Sequence, residues 1–167
     1  MNDSENVIKQ INEFLESDEE KIMLIKGTND YKKHSLALEM INQNKNLKRG
    51  LFRTHRLKSV PDFFQQAKLE VPRSIGESAG ESYLVGNTTF YFDSFNEKTW
   101  GKTPNELDFA LIYPIEILKS DLKKKFLQNI IEGKTIKKVF MVSNIDNRGE
   151  YEWVDECVNR TIEFNVK

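Results

Sequence analysis

The chain has 167 residues, 38% hydrophobic and 31% charged, with 25 Lys and Arg against 26 Asp and Glu for a net charge of -1. That length suits one domain with one core, and 11 Phe, 5 Tyr and 2 Trp exclude an intrinsically disordered chain. The near-zero charge excludes a global field for nucleic acid or an anionic membrane, and no run reaches the roughly 18 apolar residues of a membrane span. A lone Cys157 excludes an internal disulfide and fits a reducing compartment. The acidic, amphipathic opening lacks the apolar stretch of a signal peptide, so a cytoplasmic protein is expected.

In chain order, Val7, Ile8, Ile11, Phe14 and Leu15 recur at helical spacing after the capping residues Asp3 and Ser4. Ile22, Met23, Leu24 and Ile25 predict a short strand buried on both faces, closed by Gly27. A polar loop over 28–32 then leads to a helix from Lys33, with Leu36, Ala37, Met40 and Ile41 on one face. Residues 50–54 predict the next strand, and Val60, Phe63, Phe64 and Ala67 a helix opened by Pro61. Residues 71–86, rich in Gly, Ser, Glu and Pro, read mostly as loop. The segment 88–93 is a strand by its β-branched and aromatic content, and 109–112 is either a strand or a helical turn before Pro114.

Ser120 and Asp121 cap a helix with Leu122, Phe126, Leu127, Ile130 and Ile131 in one stripe, stopped at Gly133. Residues 136–142 form a buried strand, and 161–166 a terminal, edge strand with Ile162, Phe164 and Val166 pointing inward. Strands and helices alternate without internal repeats. The expected fold is a three-layer α/β sandwich over residues 1–167, with five to six mostly parallel strands.

Between the first strand and the second helix stands Lys26-Gly27-Thr28-Asn29-Asp30-Tyr31-Lys32-Lys33-His34-Ser35. A Walker A loop needs glycines that let backbone N–H groups wrap phosphate, a lysine on the terminal phosphates and a hydroxyl on magnesium. Here Gly27 takes the first glycine position and Lys33 the lysine, but Lys32 replaces the second glycine, His34 replaces the Ser or Thr, and Ser35 comes one position late. Magnesium prefers oxygen ligands, so His34 is a poor substitute. Lys32 and Lys33 at a helix start still attract an anion. The strand Phe90-Tyr91-Phe92-Asp93-Ser94 ends in an acid, the Walker B arrangement that would hold magnesium through Asp93.

The segment Ile11-Asn12-Glu13-Phe14-Leu15-Glu16-Ser17, followed by 22–27 and by Ser35-Leu36-Ala37-Leu38-Glu39-Met40-Ile41, resembles the opening of RecA/KaiC-type ATPases of archaea, including relatives of the gas-vesicle regulator. Residues 150–155 running into 161–164 are similar to the close of those domains. The resemblance implies a RecA-like P-loop fold, Lys33 as the phosphate lysine, Asp93 as the magnesium acid, and ATP with magnesium as cofactor if any is bound. Those ATPases present a water-activating acid after the next strand, whereas this chain has Thr54, His55 and Arg56 there. Asn144, at the end of the strand 139–143, is either a turn residue or the sensor that contacts phosphate in such domains.

The site expected from these readings comprises Gly27, Lys32, Lys33, His34, Ser35 and Asp93, with Asp93 as the metal ligand and catalytic residues unassigned. The departures favour a degenerate, regulatory or scaffolding ATPase-like protein with weak or absent nucleotide binding, acting through a protein partner or self-association. Two alternatives stay open: a slow magnesium-dependent NTPase using Lys33 and Asp93, and a nucleic-acid-binding module. Arg49, Arg53, His55, Arg56 and Lys58, and Lys119, Lys123, Lys124, Lys125, Lys134, Lys137 and Lys138, form basic clusters that read as solvated faces or, for the last alternative, as a track for a nucleic-acid backbone. His34 and His55 form no ligand-spaced cluster, and the Gly76-to-Gly80 spelling of a nucleophile elbow follows no apolar strand.

Overall fold

A computed structural model describes residues 3–144 and 152–166. Seven strands form one sheet in the order β3-β4-β2-β5-β6-β1-β7. They are β1 (Ile22–Lys26), β2 (Arg49–Thr54), β3 (Ser82–Val85), β4 (Thr88–Ser94), β5 (Glu106–Tyr113), β6 (Thr135–Val142) and β7 (Arg160–Glu163). All pairings are parallel except the β3–β4 hairpin. The sheet therefore exceeds the expected five to six strands because β3 lies inside the stretch read as loop. With Tyr83 and Leu84 part exposed, β3 lacks the continuous apolar run that marked the other strands.

The strands are apolar on both faces because both faces are covered. Met23 and Ile25 join Phe52, Phe90, Phe92 and Phe140 in one core layer, whereas Ile22 and Leu24 join Leu51, Ala110, Ile112 and Met141 in the other. The first layer is roofed by α1 (Asp3–Glu16), α2 (Asp30–Gln43) and α3 (Val60–Gln66). The second is covered by the 3-10 turn Glu97–Lys102, by α4 (Lys123–Leu127) and by the turn Glu152–Val154. The expected helix over 120–133 is not uniform: a 3-10 turn precedes α4 and a π-type segment, Gln128–Gly133, follows it.

Some close contacts explain individual residues. Gly50 admits the Phe109 ring of the neighbouring strand, which would stand 2.3 Å from any Cβ at that position. Helix α1 carries no basic residue in its last turn. Lys138 of β6 serves instead, donating to the carbonyls of Phe14 at 2.7 Å, Ser17 at 2.6 Å and Glu20 at 2.5 Å. At the chain's end Ile162 and Phe164 are buried as expected, but Val166 is 63% exposed, since β7 stops at Glu163.

Topology creates crevices. Strands β1 and β2 lead into α2 and α3 on the first face, whereas β4 and β5 lead into turns on the second. Adjacent strands whose connections leave in opposite directions open a gap at their carboxyl ends, where α/β sheets bind ligands. Such gaps occur beside β1 and beside β2.

Candidate functional site

At the carboxyl end of β1, only Gly27, Thr28 and Asn29 separate strand from helix. Helix α2 begins at Asp30, three residues before the expected start, and its first turn consumes the stretch that a phosphate-wrapping loop would need. The shortness has a tertiary cause. Gly27 sits at φ 116°, and a Cβ there would stand 2.3 Å from the Phe164 carbonyl oxygen just beyond β7. The amide of Asn29 donates to that carbonyl at 3.0 Å, and the amide of Thr28 donates to Asn165 Oδ1 at 3.0 Å. In return, the Val166 amide donates to Thr28 Oγ1 at 3.0 Å. The turn's N–H groups are thus engaged by the chain after β7.

Lys33 is fully buried. Its Nζ donates to the Gly27 carbonyl and to the Asn144 carbonyl at 3.1 Å, with Asp30 Oδ1 at 3.5 Å. The crevice between β1 and β6 therefore presents carbonyl oxygens, the polarity that holds a cation and repels phosphate. Asn144 is likewise engaged: its amide donates to both Glu116 oxygens, at 3.0 and 2.8 Å, and its Oδ1 accepts from Tyr113 Oη at 2.8 Å. Burial, and then the Glu116 charge, push the Tyr113 phenol above its ordinary value, so it stays a donor.

His34 turns into the core. It stacks on Tyr113 with centroids 4.2 Å apart, meets Phe63 edge-on and places Nε2 2.5 Å from Gln66 Oε1. An amide oxygen only accepts, so Nε2 carries the proton of a neutral ring. Desolvation lowers its pKa from 6.5 to about 4, the Lys33 charge adding to the effect against the Gln66 bond. Lys32 and Ser35 face a different groove, between α2 and α3, together with Glu39, Gln66 and Lys68. The expected loop residues thus diverge into three environments.

Asp93 lies elsewhere. On β4 it is four strand positions from β1, roughly 19 Å at the usual spacing of about 4.8 Å. It is fully buried and forms a bidentate pair with Arg53 of β2, Nε–Oδ1 2.7 Å and Nη2–Oδ2 3.0 Å. Thr103 Oγ1 donates to Oδ2 at 2.9 Å and accepts from Lys134 Nζ at 3.1 Å. Burial lowers the Lys134 pKa, while the charge of Asp93 opposes that shift. Arg53 also stacks over Trp100 at 4.6 Å. A magnesium ion at Asp93, the role the resemblance implies, would have to displace a desolvated guanidinium. Among the described residues no group of three or more His, Cys, Asp or Glu could hold a metal ion.

The basic clusters separate in the same way. Arg53, Lys134 and Lys138 are buried, Arg49 lies over Tyr91, and Lys137 pairs with Asp108 at 3.6 Å. Of the closing stretch compared above, residues 150 and 151 lie outside the described residues.

A second concavity, about 340 Å³, opens at the carboxyl ends of β2, β4 and β5. His55 follows β2, Ser94 ends β4 with Phe95 to Glu97 after it, and Ile117, Lys119 and Leu122 follow β5. The sequence placed His55 in a basic cluster and at the position where the resembled ATPases carry a water-activating acid, and Lys119 in a basic cluster alone. Their convergence depends on strand order, and no local motif announces it.

Together these features define a three-layer α/β protein with a mostly parallel seven-stranded sheet and, among the described residues, a crevice at its carboxyl edge whose polar groups are paired and a cleft that stands open. No protein-family model matches the chain, and no curated protein matches it significantly. Among the described residues no helix is long and apolar enough to cross a membrane.

Proposed function

We propose that this chain is a degenerate P-loop-type protein that regulates or scaffolds and does not hydrolyse nucleotide. The observation that carries the reading is the Lys33 ammonium held by the carbonyls of Gly27 and Asn144, while the amides of Thr28 and Asn29 are bound to residues 164 and 165. A phosphate cradle needs the opposite polarity: free N–H groups and a lysine reaching outward. The strand-turn-helix order at Gly27 and the parallel sheet support descent from such a scaffold, and fold alone assigns no activity.

The test is a thermal-shift titration with ATP, ADP and GTP, with and without magnesium, alongside an assay for released phosphate. A ligand that binds only the folded state must raise the melting temperature. We expect no magnesium-dependent shift that requires Lys33 and no turnover. A saturable magnesium-dependent shift lost in Lys33→Ala would overturn this reading in favour of a slow NTPase.

A further inference from the structure

The cleft beyond β2 differs from the β1 turn in what its polar groups are doing. Among the described residues the Lys119 ammonium makes no hydrogen bond or ion pair, and His55 makes only a ring contact with Phe95, centroids 6.3 Å apart. Asn96 uses its Oδ1 to accept from the Lys98 amide at 3.1 Å, which leaves its NH2 donors to the cleft. The single carboxylate on the wall, Glu97, is paired with Lys125 at 3.3 Å. The Lys119 ammonium, the Asn96 NH2 and one ring nitrogen of His55 are therefore the donors that the connections after β2, β4 and β5 bring to this cleft. Between these donors stand Phe95, Leu122 and Ile117, the last 42% exposed. The cleft lies where the β2 connection leaves toward one face and its neighbours' connections toward the other.

We infer that this cleft binds a small anionic ligand with a planar apolar body, its carboxylate or phosphate held by Lys119, His55 and the Asn96 amide, and its ring packed between Phe95, Ile117 and Leu122. Donors from separate connections fix orientation, and the apolar walls supply the buried area. The volume suits one mononucleotide-sized or aryl-acid-sized molecule and no more. The inference does not depend on the state of the β1 turn.

The test is a titration followed by amide correlation spectra, using AMP and 1-naphthoate as probes and adenosine and inorganic phosphate as controls. Saturable changes at the amides of Asn96 and Lys119 are expected with at least one probe. A response to AMP alone assigns the anion as phosphate, and a response to 1-naphthoate alone as carboxylate. Lys119→Met should weaken the responding probe about tenfold, the loss of one charge-assisted hydrogen bond, with an unchanged melting temperature. The inference is overturned if neither probe saturates at millimolar concentration, if adenosine or phosphate alone binds equally well, or if Lys119→Met and His55→Ala leave binding unchanged. Changes confined to residues 27–35 and lost in Lys33→Ala would instead overturn the proposal made for the β1 turn.

Discussion

The β1 turn and the cleft beyond β2 occupy equivalent positions at the carboxyl edge of one sheet, yet their polar groups are arranged oppositely. At β1, Lys33, Asn144, Glu116 and Tyr113 satisfy one another, and the chain after β7 engages the turn's amides. Beyond β2, His55 and Lys119 line the cleft with no hydrogen bond or ion pair among the described residues, next to the buried Arg53–Asp93 pair, in which Arg53 Nε and Nη2 are bonded to the carboxylate and Nη1 is left without a partner. A switch point supplies only a concavity; whether it can bind depends on which donors and acceptors the fold has already paired.

The largest test of that contrast concerns Asp93, immediately before Ser94 of the cleft. If the acid is part of the framework, Asp93→Ala leaves Arg53 and Lys134 buried without their counter-charge and should cost about 3–5 kcal/mol in urea unfolding. The double substitution Arg53→Met with Asp93→Leu should recover much of that loss. A folded Asp93→Ala protein of normal stability would mean that the carboxylate is reserved for a ligand.

Acid should weaken the closed end next. The unfolded chain protonates His34 near its ordinary 6.5, whereas the folded chain resists until about 4. The unfolded state therefore binds the extra proton in that window. Stability falls as pH drops from about 6.5 to 4, by about 3 kcal/mol at roughly 1.4 kcal/mol per unit, and levels off below. Comparing His34→Gln with the parent across that window isolates the effect; parallel curves would mean that His34 is hydrated.

The smallest effects give the sharpest contrast. Lys33→Met strands the carbonyls of Gly27 and Asn144 and should cost about 2 kcal/mol, whereas Lys119→Met should change stability by less than about 0.5 kcal/mol. Equal costs in thermal or chemical denaturation would erase the distinction between the closed and open ends.

Much of the fold was legible in the residues. Continuous apolar runs such as Ile22 to Ile25 specify strands buried on both faces, and the helical spacing of Val7, Ile11 and Phe14 specifies a helix packed on them, because burial follows local periodicity. Strand β3 escaped notice because an edge strand needs only a partner and carries no buried pattern of its own. The spacing from Gly27 to Lys33 was also plain, but its consequence was not: Lys33 finds the Asn144 carbonyl 111 positions away, and Asp93 finds Arg53 at 40. The sequence determined which segments are apolar, and hence the layers. Strand order decided which charges meet, because a buried charge is held by whatever partner the sheet places beside it, however distant in the chain.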